Sequence, residues 1–179
     1  MTRQLVAVLG RGVVPTADPI ATADDVGLVR GDGCFDAMRV LGGGSGAVVE
    51  NLDDHLVRFA ASAATLDLSF DPDAWRALIA DAVAAWKLAP EAVLKLVLTR
   101  GPESTPGVPT GFLTITELDL PAMHRARTVG LAVRTMNRGY ASDTFTDAPW
   151  QLGGAKLLSY AVNAAAKREA GRHGDDDAL

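Results

Sequence analysis

Cysteine and histidine are scarce in this chain, and neither is grouped. The single cysteine, Cys34, excludes an internal disulfide, and the three histidines, His55, His124 and His173, stand far apart without metal-ligand spacing. No metal is expected, and a reducing, cytoplasmic setting is. The 17 Lys and Arg residues are scattered and outnumbered by 22 Asp and Glu, for a net charge of -5, so the basic footprint of a nucleic-acid binder is missing. No membrane is expected either. The opening "MTRQLVAVLGRGVV" is broken by Gly and Arg, too short for a signal-peptide core and far below a membrane span. "GGGSG" (42 to 46) lacks the Lys-Ser/Thr pair that completes a phosphate-cradling P-loop and reads as a flexible hairpin turn. Internal repeats and low-complexity tracts are absent.

What is present is apolar material in regular patterns. The 179 residues are 48% hydrophobic and 22% charged, the profile of a globular protein with a core, in one domain or two small ones. "LVAVLG" reads as a strand ending in a Gly turn, and "AMRVLGGGSGAVVENL" as two strands joined by a Gly-rich turn, so the first sheet is expected to be antiparallel. "NLDDHLVRFAASAATLDL" carries apolar residues at helical spacing. "DPDAWRALIADAVAAWKLAP" does too, with Asp71 as candidate cap and Pro72 in the first turn. "AVLKLVLTRG" and "GFLTITELDL" alternate as strands around a Gly/Pro/Ser-rich loop. Residues 119 to 127 read as a linker, "VGLAVRTMN" as a further strand and 156 to 170 as a further helix.

Four charged residues raise questions of chemistry. Lys156 stands between "LGGA" and "LLSYAV", where an ammonium needs a salt bridge or a covalent role. Desolvation there lowers the pKa and leaves a nucleophilic amine. Tyr160, four residues on, shares its helix face if the helix already runs at 156. Arg58 lies on the amphipathic helix near His55 and its apolar stripe, as a plain surface arginine or as an anion ligand. Arg100 ends a strand and opens a loop, as a solvated strand-end charge or as a fork for a carboxylate. Asp32, with Gly on both sides, reads as a tight turn entering a strand.

The ordered elements "VRGDGCFDAMRV", "DDHLVRFAASAATL", "LVLTRG" and "GGAKLLSYAVNAAAKREAGRHGDDDAL" resemble the class IV aminotransferase family of fold type IV pyridoxal phosphate enzymes. That family includes branched-chain and D-amino acid aminotransferases and 4-amino-4-deoxychorismate lyase. The resemblance implies an α/β (α+β) fold in two parts: a small N-terminal antiparallel sheet with helices over 1–120, a linker at 121–127, and an incomplete larger domain from 128 to 179. It implies pyridoxal 5'-phosphate as cofactor, bound between the two parts, and homodimerisation.

Residue by residue, the resemblance implies that Lys156 forms the Schiff base with the cofactor and shuttles the substrate proton. It implies that Arg58 binds the cofactor phosphate, and that Tyr160 contacts the phenolic oxygen. Phe35 falls in the substrate pocket, and Arg100 helps bind the carboxylate of a small amino-acid-like substrate. "GDGCF" with the "LTRG" loop ranks 4-amino-4-deoxychorismate lyase first, releasing pyruvate and forming 4-aminobenzoate for folate synthesis. A D-amino acid or branched-chain aminotransferase is the alternative. Family members continue past "DDDAL" into a glutamate that pairs with the pyridine nitrogen and into phosphate-cradling loops. A fragment is therefore expected, and a non-catalytic binding or assembly fragment is the reading from another class.

Overall fold

A computed structural model describes residues 3–141 and 143–179. The chain divides into two compact units, one of residues 1–118 with 155–158 and one of residues 119–154 with 159–179.

The first unit is a six-stranded sheet with two helices on one face. Its strands are β1 (Gln4–Val8), β2 (Gly12–Val14), β3 (Gly33–Leu41), β4 (Val48–Val49), β5 (Glu91–Thr99) and β6 (Thr110–Glu117), in the spatial order β2-β1-β6-β5-β3-β4. Every neighbouring pair is antiparallel, as the hairpin signals in the sequence predict. A short helix, α1 (Val26–Arg30), precedes β3 and ends at Gly31, whose φ of 74° is the left-handed conformation that glycine adopts without strain.

Register decides which residues are buried. Cys34, Asp36, Met38 and Val40 of β3 lie opposite Leu98, Leu96, Leu94 and Ala92 of β5, and all eight are buried on one face. Two helices cover that face: α2 (Leu52–Thr65), contributing Leu56, Phe59 and Ala63, and α3 (Pro72–Ala85), contributing Trp75, Leu78 and Ile79. Phe59 meets Trp75 edge to face with ring centroids 5.2 Å apart. Each such side chain contributes roughly 1.5–3 kcal/mol by leaving water. The Asp71 side chain accepts hydrogen bonds from the N–H groups of Asp73 and Ala74 and so caps α3, while α2 begins without a side-chain cap and carries Asp53 and Asp54 in its first turn.

The second unit departs from expectation at three places. Residues 121–127, read as a linker, lie inside helix α4 (Leu120–Val129), because the Asp119 carboxylate accepts from the Ala122 N–H and Pro121 suits a first turn. The strand at "VGLAVRTMN" contracts to β7 (Val133–Arg134), paired in parallel with β8 (Asp177–Ala178). The helix expected over 156–170 starts only at Ala161, as α5 (Ala161–Arg172). Residues 155–158 are instead extended and belong to the first unit, so Lys156 and Tyr160 do not share a helix face.

Candidate active site

The stretch holding Lys156 is bound along the free edge of β3. Phe35 N–H donates to the Lys156 carbonyl at 3.0 Å, Leu158 N–H donates to the Gly33 carbonyl at 2.9 Å, and Cys34 and Leu157 form an antiparallel bridge. These bonds use the backbone groups that an early helical turn would need, which explains the late start of α5. Lys156 N–H donates to the buried Ser62 hydroxyl at 3.1 Å, and that hydroxyl donates to the Arg58 carbonyl one turn earlier on α2 at 3.0 Å. The lysine backbone is thus tied both to β3 and to α2.

Its ammonium lies 4.1 Å from the centroid of the Phe35 ring. Burial lowers the pKa of Lys156; the Asp36 charge opposes this, and the Arg58 and Lys95 charges add to it, with a net lowering. A fraction of neutral amine is therefore present at lower pH than for a free lysine.

Below Lys156, Asp36 is fully buried under α2. Arg58 grips it with two hydrogen bonds, Nε to Oδ2 and Nη2 to Oδ1, each 2.7 Å. Oδ1 also accepts from His55 Nδ1 at 2.8 Å and from the Ala37 N–H at 2.6 Å. A carboxylate only accepts, so Nδ1 carries the hydrogen, and its 3.1 Å approach to Arg58 Nη2 is two donors crowding one oxygen. Burial pushes the Asp36 carboxyl up, but the hydrogen bonds from Arg58, His55 and Ala37 outweigh it and hold the pKa below the ordinary value. Arg58 Nη1 has no partner among the described residues and its side chain is 53% exposed, so the guanidinium keeps one edge for an external anion.

Arg100 follows β5, where its N–H donates to the Asp32 carbonyl just before β3, and it lines a cleft of about 760 Å³ with Val26, Arg30, Asp32, Leu68 and Pro109. Its Nε donates to Asp32 Oδ2 at 2.6 Å and its Nη2 to the Leu66 carbonyl at 2.6 Å, so both carboxylate and loop already hold it. Tyr160 belongs to the second unit, where it is the N-cap residue of α5 and half exposed. The structure thus brings Lys156, Phe35 and Arg58 into one cluster.

The expected set omitted Asp36, Ser62 and Lys95. Asp36 had a signal, a carboxylate at an inward position of an alternating strand, but its partner Arg58 lies 22 residues further along the chain and meets it only in space. Ser62 had none, being one small residue in an alanine-rich helix.

The family profile "Amino-transferase class IV" matches residues 33–179. The chain belongs to the class IV aminotransferases. Members of this family use pyridoxal phosphate. Among curated proteins, this class IV chain is 34% identical to the bifunctional aminodeoxychorismate lyase / D-amino acid transaminase of Mycobacterium tuberculosis (strain ATCC 25618 / H37Rv), over 98% of the chain and 60% of the relative. Among solved structures it resembles the fold IV transaminase CpuTA1 from Curtobacterium pusillum, at 36% identity and TM-score 0.88, covering 99% of the chain and 63% of that one. It also resembles the PLP-bound form of a hypothetical aminotransferase from Mycobacterium tuberculosis, at 32% identity and TM-score 0.89, covering 99% and 62%. The class IV chain thus has the mixed α/β fold type IV architecture and spans about three fifths of the length of these relatives. No helix among the described residues is long and apolar enough to cross a membrane.

Proposed function

We propose that the protein is a pyridoxal phosphate enzyme acting through Lys156, with 4-amino-4-deoxychorismate lyase as its reaction and D-amino acid transamination as a second reaction of the same site. The observation that carries this reading is the Lys156 amine, half-buried, lowered in pKa and fixed by its backbone against Phe35. The relative named above, which carries both activities in its name, supports the pairing.

The residues present suit the cofactor: an amine of lowered pKa to bond it, and beside it a guanidinium with an unused edge for its phosphate. When bound, the cofactor supplies the electron sink for charge left on the substrate carbon. The chain does the rest. Asp36 and His55 hold Arg58 in a single orientation, so the phosphate grip is formed before binding. Lys156 Nζ would take the proton from the substrate carbon; in transamination it would pass that proton on to the cofactor and not back, whereas in the lyase reaction the proton would go to the departing enolpyruvate. The Phe35 ring forms one wall. Arg100 receives a carboxylate at Nη1, since Asp32 and the Leu66 carbonyl already occupy its other nitrogens. Tyr160 as a cofactor contact, a homodimer, a role in folate synthesis, a cytoplasmic location, and a division into residues 1–120 and 128–179 belong to the same proposal.

Borohydride reduction after incubation with pyridoxal phosphate, followed by peptide mapping, tests it. A pyridoxyl adduct on Lys156, with pyruvate released from aminodeoxychorismate, is the expected result. No adduct on the full-length protein would leave the non-catalytic binding reading in its place.

A further inference from the structure

One hydroxyl joins the backbones of Arg58 and Lys156. Ser62, buried on α2, donates its hydroxyl hydrogen to the Arg58 carbonyl at 3.0 Å and accepts the Lys156 N–H at 3.1 Å. A hydroxyl has a single hydrogen, so with that hydrogen on Arg58 it is the oxygen lone pairs that meet Lys156. The first bond is local to the helix, whereas the second spans 94 residues of sequence.

The helix itself does not call for a serine here. Ala60, Ala61, Ala63 and Ala64 flank the position, and alanine is the better helix former. A hydroxyl bonded to the carbonyl four residues back satisfies the serine without strengthening the helix. What alanine does not supply is an acceptor for the Lys156 N–H. The Lys156 carbonyl already accepts from the Phe35 N–H, so Ser62 completes the pairing of the lysine backbone: β3 holds one side of its Cα and α2 the other. The α2 turn that takes the lysine is the turn that begins at Arg58.

We infer that Ser62 is a positioning residue that registers the backbone carrying Lys156 against the turn of α2 carrying Arg58. The inference rests on the reading of Lys156 as the cofactor-bearing amine and of Arg58 as the phosphate ligand, and adds to it the residue that makes the two act together. Pyridoxal phosphate carries its aldehyde and its phosphate on one rigid ring, so both are engaged at once only when amine and guanidinium stand at a matching separation. Pyridoxal has the aldehyde alone and makes no such demand. Loss of the Ser62 hydroxyl therefore penalises the phosphorylated form.

The test uses the full-length protein freed of cofactor, as wild type, S62A and S62T, titrated with pyridoxal phosphate and with pyridoxal. The borohydride-trapped group on Lys156 is quantified by peptide mapping. Wild type is expected to reach half-maximal labelling at a lower concentration of pyridoxal phosphate than of pyridoxal. S62A is expected to need about tenfold more pyridoxal phosphate, the size of one hydrogen bond whose partner is left unpaired, with the pyridoxal midpoint unchanged. S62T keeps the hydroxyl and is expected to stay near wild type. A loosened fold would weaken both ligands alike, and a purely helical role would leave S62A no worse than wild type. S62A labelled by pyridoxal phosphate as wild type is, S62A weakened equally for both ligands, or S62T as weak as S62A overturns the assignment. Absence of any adduct on wild-type Lys156 refutes the cofactor reading, and wild type labelled no better by pyridoxal phosphate than by pyridoxal refutes the phosphate role of Arg58. A normal wild-type preference with an unaltered S62A refutes the role of Ser62 alone.

Discussion

Phe35 and Lys156 are joined twice: the Phe35 N–H donates to the Lys156 carbonyl at 3.0 Å, and the Lys156 ammonium lies 4.1 Å from the centroid of the Phe35 ring. The backbone bond holds the lysine at the sheet edge, and the ring contact gives its ammonium a partner that carries no charge. Five consequences can be measured.

Gly33 is the position where this junction is most sensitive to size. A Cβ added there would lie 2.6 Å from the Leu98 carbonyl oxygen and 2.7 Å from Leu158 Cδ1. The carbonyl is part of the β3–β5 ladder and gives little, so the edge segment carrying Lys156 is the part that moves. Gly33→Ala is expected to destabilise by about 1–3 kcal/mol, as overpacking does, and to slow adduct formation at Lys156. Unaltered urea unfolding together with unaltered adduct formation would show that the segment is not held here.

Burial, with the Arg58 and Lys95 charges, outweighs Asp36 and lowers the pKa of Lys156 below the ordinary 10.5. Competitive acetylation against pH should therefore give a midpoint for Lys156 below that of the exposed lysines. Removing a like charge by Lys95→Gln should move the midpoint back up. A midpoint at or above 10.5 in wild type would contradict the desolvated environment.

Asp36 has a lowered folded pKa, so its stabilising contribution is complete above the unfolded value of about 3.9 and is lost as pH falls through the folded value. Arg58→Ala removes two of its hydrogen bonds and leaves a buried carboxylate with His55 and one N–H. The expected loss at neutral pH is about 2 kcal/mol, less than the ~3–5 kcal/mol of a fully buried pair because the Arg58 side chain is half in solvent. The variant should also lose less additional stability than wild type between pH 5 and pH 3, where the raised Asp36 carboxyl protonates more readily. Parallel stability curves for the two proteins would count against the pairing.

Asp25 is buried, accepts from Gly27 N–H at 2.9 Å through Oδ1, and accepts from the hydroxyls of Thr99 at 3.0 Å and Thr110 at 2.7 Å through Oδ2. Thr99 and Thr110 are the two feet of the loop that Arg100 opens, and Thr99 in turn accepts from the Gly101 N–H at 3.0 Å. Asp25→Ala leaves both hydroxyls without this acceptor and is expected to cost about 2–4 kcal/mol, with limited proteolysis appearing first between residues 101 and 109. Cleavage that begins elsewhere would mean the clamp does not set the order of this loop.

Cys34 is fully buried in β3, and burial with the neighbouring Asp36 charge pushes its thiol up to about 12. Reaction with a thiol-directed disulfide reagent at pH 8 should follow global unfolding, with no fast phase in native protein. A rapid native reaction would show that the edge segment over Cys34 opens readily.

Much of the first unit was legible in the sequence because its signals are local. The alternation of Leu94, Leu96 and Leu98 marks a strand with one apolar face, and Asp71 followed by Pro72 marks a capped helix; both depend on neighbours a few residues away. The ordered motifs around Phe35, Arg58, Arg100 and Lys156 carried the family, since order and spacing survive without coordinates. The "GGAKLLSYAV" stretch misled, because its composition suits a helix while its backbone partners lie on β3. Tertiary pairing outweighs helix propensity of a few tenths of a kcal/mol per residue.

What the sequence by itself determined is therefore the antiparallel sheet and its two covering helices, with Lys156 singled out as the candidate amine. The tertiary structure alone decided that Lys156 lies on a strand edge instead of a helix, that Asp36 and His55 hold Arg58, that Arg100 is already paired with Asp32, and that Lys95 and Lys156 both lie over the Phe35 ring. The physical reason is distance along the chain: a side chain's local pattern records whether it faces the core, whereas its charge partners come from segments that only sheet register and helix docking bring together.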